Sequence, residues 1–130
     1  MDLPDCVVFM LIDGDMVLAE KRKLTKEPDP GAIALPGGHM KRGESCEEAL
    51  YRESGEELGI TPSNIKYVCS LLRGSQHLHR LHYYAVELWE GEIECIEAEC
   101  LLWIPLDELE RLDIEVDRVA VGEYLRVYTG

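Results

Sequence analysis

Positive charge is what this chain has least of. It carries 13 Lys and Arg against 26 Asp and Glu, a formal charge of -13 over 130 residues with a pI near 4.6. A protein that grips duplex DNA or RNA ordinarily presents a basic face, so a nucleic-acid interface is not expected. An anionic partner would need something cationic in between. Long apolar runs are lacking as well. The longest, residues 6–12, has seven residues, far below the ~18 to 20 that a membrane span requires. The opening Met-Asp-Leu-Pro-Asp has neither the basic flank nor the small-residue cleavage site of a signal peptide. The five cysteines (Cys6, Cys46, Cys69, Cys95, Cys100) form no C-x-x-C and no regular framework. That argues against a disulfide scaffold and against zinc held by closely spaced ligand pairs. The expectation is reduced, mostly buried thiols in a cytoplasmic protein. No repeat, low-complexity tract or linker divides the chain, so residues 1–130 are expected to form a single domain.

What is present is enough apolar material for a core, 46% of residues, set in alternating short patterns. Residues 6–12 and 16–19 read as two strands joined by Asp13-Gly14-Asp15, a hairpin turn because Gly and Asp tolerate positive φ. The same tripeptide lacks the further oxygen ligands and the glycine of a calcium loop. A basic loop, residues 21–26, is followed by the turn formers of residues 27–31. A short strand is expected at 32–35, ending in a turn at Pro36-Gly37-Gly38. Residues 46–58 predict a helix, with Ser45 and Glu48 as capping box and Gly59 as its stop. Further strands are expected at 65–72, 77–88 and 100–104, a short helix at 106–112 and a longer one at 116–127. Strands and helices alternate, which indicates an α/β class with a mixed sheet flanked by helices.

Chemistry concentrates between Gly38 and Ile60. On a helix, Glu53 and Glu57 lie one turn apart with Glu56 beside them, so three carboxylates share a face. Their repulsion opposes the helix. Residue 49 is Ala and residue 60 is Ile, so only Arg52, at the margin, offers a cation. Spacing alone fits two readings equally: a solvated acidic face, or a site for hard divalent cations, Mg²⁺ or Mn²⁺, which prefer carboxylate oxygens. The glycine-rich turn before the helix favours the second, since glycine lets backbone approach a ligand without a Cβ in the way.

Residues 38–60, G-HMKRG-E-SCEEALY-RE-S-G-EE-L-G-I, resemble the Nudix box, G-x5-E-x7-R-E-U-x-E-E-x-G-U, where U is bulky and aliphatic. All seven fixed positions match: Gly38, Glu44, Arg52, Glu53, Glu56, Glu57 and Gly59. Ile60 fills the second U, and Ser54 stands in the first. Even in a Glu-rich chain the fixed positions coincide by chance with probability on the order of 10⁻⁵. The hairpin before the box, the Ala-Leu-Pro-Gly-Gly approach to it and the stretch from Trp103 to Leu109 are also similar to the family's flanks.

The resemblance implies the Nudix α/β/α sandwich and a Mg²⁺-dependent hydrolase, Mn²⁺ being the other candidate. Such an enzyme cleaves the pyrophosphate bond of a nucleoside diphosphate linked to another group. It makes Glu53, Glu56 and Glu57 the expected metal ligands, with the Gly37 carbonyl and a glutamate from the region before the Trp103 strand. Glu97 and Glu99 are both candidates for the last, Glu99 being preferred. Glu53 is also a candidate general base, while Arg52 and Glu44 orient the carboxylates. Arg22 and Lys23 of the basic loop, together with Gly38 and Arg80, are the expected substrate contacts. Homodimerisation is common in the family.

Strand alternation puts His77, His79 and Tyr83 on one face and Arg80, His82 and Tyr84 on the other. For a transition-metal site at His77 and His79 no third ligand is evident in the sequence. Substrate markers divide. Where ADP-ribose hydrolases of the family carry Pro beyond the box, this chain has Ser75. Gly31 to Gly38 matches the coenzyme A signature with Leu35 in place of Phe, but Glu27 stands where Arg is expected. Length favours the short members that remove damaged nucleoside triphosphates. ADP-ribose or coenzyme A hydrolysis, or a catalytically silent nucleotide-binding domain, are the alternatives.

Overall fold

The computed structural model describes residues 3–74 and 77–129, so Ser75 lies outside the described residues. Strands β1 (Asp5–Asp13) and β2 (Met16–Lys21) form the expected hairpin, closed with Asp13 opposite Met16 and Gly14 at φ +60°. β1 is apolar at every inner position because both of its faces are covered. Phe9 and Leu11 enter one core, while Val8, Met10 and Ile12 enter the other. β6 (His79–Glu90) runs parallel to β1 from the Asp5/Arg80 pair to the Leu11/Val86 pair. β5 (Thr61–Arg73) lies antiparallel along the outer side of β6, and β7 (Cys100–Pro105) antiparallel along β2.

Two helices cover this mixed sheet. α1 (Cys46–Leu58) places Leu50 and Leu58 against Phe9, Leu11, Leu18, Tyr84 and Val86. α2 (Glu115–Tyr128) places Ala120, Val121 and Tyr124 against the opposite face, with Val8, Met10, Tyr83 and Ile104. Each fully buried large side chain contributes about 1.5–3 kcal/mol, and the two cores together give the expected α/β/α sandwich. The α1 cap is as anticipated. The Glu48 N–H donates to Ser45 Oγ at 3.1 Å, the Ser45 N–H donates to Glu48 Oε1 at 2.9 Å, and Gly59 sits at φ +70°. Ser54, in the box's aliphatic position, is fully buried and donates to the Leu50 carbonyl at 2.7 Å. Nothing in the structure explains the choice of glycine at Gly55.

Three expectations need correction. The apolar stretch at 32–35 yields only β3 (Ile33–Ala34), and the supposed turn after it is a strand, β4 (Gly37–His39), paired antiparallel with β1. A Cβ on Gly37 would overlap the Val7 carbonyl, and one on Gly38 would fall on the Glu53 carboxylate. Both glycines permit close approach, and tertiary pairing overrides their low strand preference. Residues 106–112 contain only a 3-10 turn at Leu109–Arg111; seven residues are too few to sustain an α-helix without caps. The cysteines are free, but only Cys6 is buried, because Cys95 lies in an exposed loop and Cys100 at a strand end.

One edge of β1 is shared. It pairs with β2 only at Ile12 and Asp13, then with β4 at Cys6 to Val8. As β2 departs toward β3 a cavity of about 960 Å³ opens beside Cys6, Val8, Ala34, Leu35 and Gly37.

Candidate active site

The capped first turn and the Gly59 stop fix the register of α1, so Arg52, Glu53, Glu56 and Glu57 all line this cavity. Arg52 is the organising group. Its Nε and Nη2 donate to the two Glu44 oxygens at 2.7 and 2.9 Å, and Nη2 also donates to the His39 carbonyl at 3.0 Å. Its Nη1 donates to Glu53 Oε1 at 2.8 Å and Glu56 Oε2 at 3.1 Å. A guanidinium has five N–H groups in a rigid fork, and these bonds employ all of them. The guanidinium holds the Glu44 carboxyl down at about 2, and the Lys41 N–H assists. Arg52 thus bonds three glutamates at once, Glu44, Glu53 and Glu56.

Glu57 is the anomaly. It is 7% exposed, and its Oε2 is the only buried side-chain polar atom without a hydrogen-bond partner among the described residues. Burial, reinforced by the charges of Glu20, Glu53 and Glu97, pushes its carboxyl up to about 9. Glu20, from β2, is buried too and is pushed up to about 7, chiefly by burial, with Arg22 and Lys26 opposing. A hard divalent cation suits this donor set, which consists of carboxylate oxygens whose mutual repulsion and desolvation a bound cation relieves. Sequence reading missed Glu20, because only the hairpin carries it to α1 and no local spacing signals that.

Glu97, not the preferred Glu99, lines the cavity and acts electrostatically on Glu57 and Glu20. The Ile96 N–H donates to the Glu57 carbonyl at 3.2 Å, which brings the loop onto the end of α1. Glu99 lies instead beside residues 21–25, with its N–H on the Lys21 carbonyl at 2.9 Å.

The expected substrate contacts separate in the same way. Gly38 and Arg22 line the cavity, as does the expected metal ligand Gly37, and Arg22 donates to the Pro28 and Glu27 carbonyls. Lys23 does not line it, and Lys26 does. Arg80 also lies off the cavity lining and pairs with Asp5 at 2.7 Å. Arg73 lines the cavity instead, held by Asp29 at 2.6 Å. Asp117, 4% exposed, also lines it, as do Leu35, Leu81 and Ile114. It accepts the Leu35 N–H at 3.0 Å and the Tyr83 O–H at 2.6 Å. The histidine strand alternates as expected. His79 faces the cavity, while His82 faces away and contacts Asp5 and Ser70.

Comparison with known proteins agrees with this architecture. A family model described as the NUDIX domain matches residues 2–123. The 8-oxo-dGTP diphosphatase of Escherichia coli is 39% identical over 75 residues, 57% of this chain and 58% of that protein. The NAD-capped RNA hydrolase NudC of Pseudomonas aeruginosa is 30% identical over 131 residues, 98% of this chain and 45% of that protein. The chain thus spans roughly half the length of these two relatives. The crystal structure of a MutT NUDIX hydrolase from Burkholderia pseudomallei superposes with a TM-score of 0.86 at 26% identity, covering 95% of this chain and 98% of the other.

Proposed function

Since the chain belongs to the NUDIX domain family, we propose that it is a divalent-metal-dependent hydrolase of nucleoside diphosphate derivatives, with nucleoside triphosphates as substrates. The observation that carries this reading is the unpartnered, buried Glu57 oxygen among Glu20, Glu53 and Glu97. In a purely structural role that arrangement is destabilising, because a buried carboxylate without partners loses its hydration for nothing in return. Mg²⁺ or Mn²⁺ held by Glu53, Glu56, Glu57 and Glu97 makes sense of it. The chemistry such a cation would supply is neutralisation of charge on phosphoryl oxygens and orientation of a diphosphate toward water.

The chain's own residues supply the rest. Arg52 and Glu44 hold Glu53 and Glu56 in fixed rotamers, so the face is organised before ligand arrives. Gly38 lets β4 lie against the Glu53 carboxylate, which a Cβ at that position would displace. Arg22, Lys26 and Lys41 line the same cavity and attract phosphates to an otherwise acidic protein. In the same cavity Leu35, Leu81 and Ile114 offer an apolar seat for a nucleobase, with Asp117 bonded to the Leu35 N–H.

The test is a panel of ordinary and oxidised nucleoside triphosphates, ADP-ribose, coenzyme A, dinucleoside polyphosphates and NAD-capped RNA, assayed with Mg²⁺ and Mn²⁺. Products formed in heavy-oxygen water identify the phosphorus attacked. The expected result is a nucleoside monophosphate and pyrophosphate from a triphosphate. No turnover of any compound would refute the proposal, and turnover of ADP-ribose or coenzyme A alone would refute its substrate.

A further inference from the structure

A second donor cluster lies in the same cavity, built from different chemistry. Cys6 on β1 stands opposite His39 on β4, and β6 on the other side of β1 contributes His79. Cys6 Sγ is 3.3 Å from His39 Nδ1 and 3.9 Å from His79 Nδ1, and one ligand atom from each residue lies within 4.8 Å of the others. For tetrahedral zinc, with Zn–S near 2.3 Å and Zn–N near 2.0–2.1 Å, the sulfur-to-nitrogen separation comes to about 3.5 Å. The two observed distances bracket that value. Three adjacent strands of one sheet carry the donors, so the scaffold is rigid rather than a loop assembled by chance.

We propose that Cys6, His39 and His79 form a binding site for a borderline transition metal of the Zn²⁺ class, separate from the carboxylate site on α1. One thiolate and two imidazoles match that class and are poor donors for Mg²⁺ or Ca²⁺. Three protein ligands leave a fourth position, and all three residues line the cavity, so water or substrate oxygen can reach it. Burial, with the charges of Asp5 and Glu53, pushes the Cys6 thiol up to about 11, so the thiolate forms there only with a cation bound to it. Binding forms the metal–sulfur bond and releases the thiol proton to solvent. The site also adjoins the catalytic face, since the His39 carbonyl accepts an N–H from Arg52. None of the three donors is a fixed position of the box, His39 filling one of its variable positions, and nothing in their spacing along the chain groups them.

Cobalt(II) titration of the reduced full chain tests this, with excess Mg²⁺ present to fill the carboxylate site. One equivalent should produce thiolate-to-cobalt charge-transfer absorption that Zn²⁺ abolishes. Cys6→Ser should remove the band. His39→Gln alters an exposed residue and should weaken binding by more than about tenfold, the loss that even outer partners of metal ligands produce. Glu57→Gln should leave the band in place. The site is refuted by absence of the band, by a band suppressed by Mg²⁺, or by one unchanged in Cys6→Ser and His39→Gln, which would assign it to another thiol.

Discussion

Of the buried carboxylates that face the cavity, Asp117 and Glu57 are solved differently. Asp117 spends both oxygens within the protein, Oδ2 on the Leu35 N–H and Oδ1 on the Tyr83 hydroxyl. It thereby ties the first turn of α2 to the segment before β4 and to β6. Burial still raises its carboxyl above the ordinary aspartate range, though those donors and Arg73 resist the shift. Glu57 has no such completion, because Oε2 lacks a partner and the charges of Glu20, Glu53 and Glu97 act on it, with only Lys26 opposing. Burial alone therefore does not mark a functional acid. A satisfied buried acid is a fold-holding device, whereas an unsatisfied one among like charges is a candidate cation ligand.

The contrast can be broken at either end. Glu57→Gln should lower turnover by about a thousandfold, about 4 kcal/mol of transition-state stabilisation, while circular dichroism and thermal unfolding show an intact fold. Asp117→Ala should do its damage in stability. It strands a buried N–H and a buried hydroxyl at about 1–3 kcal/mol each, and calorimetry should show Tm lowered by roughly 10 °C. Arg52→Lys keeps the charge but loses the fork that bridges Glu44, Glu53 and Glu56, and steady-state kinetics should show about a tenfold fall in kcat. The smallest effect is on acid stability. Glu44 is held at about 2 against an ordinary 4.5. Its folded pKa is depressed, so its contribution is present above pH 4.5 and lost as pH falls from 4.5 toward 2. Urea unfolding across that window should show a shallower pH dependence in Glu44→Gln than in the parent.

The sequence disclosed the parts of the site that are local. Residues 38–60 are contiguous, and helical periodicity turns their spacing into geometry, so the capping box, the glutamate face and Arg52 were all legible. Partners supplied by other strands were not. Glu20 reaches Glu57 through hairpin packing, Glu97 rather than Glu99 turns inward where its loop meets α1, and Cys6, His39 and His79 meet through strand register alone. Pro36-Gly37-Gly38 misled for a related reason. Glycine there answers to close backbone approach and the Glu53 carboxylate, neither of which a local pattern encodes. Three acids of the segment from 86 to 117 also make particular bonds. Glu87 accepts from Tyr124 and pairs with Lys66, Asp113 accepts the Ile33 N–H, and Asp117 accepts from Leu35 and Tyr83.

The central claim is that the unpartnered Glu57 oxygen belongs to a divalent-cation site and the satisfied Asp117 carboxylate does not. Calorimetric titration of Mn²⁺ into the parent protein, Glu57→Gln and Asp117→Asn tests it without reference to any substrate. The account predicts equal binding by the parent and folded Asp117→Asn, and loss of that binding in Glu57→Gln. Undiminished Mn²⁺ binding by Glu57→Gln would contradict it.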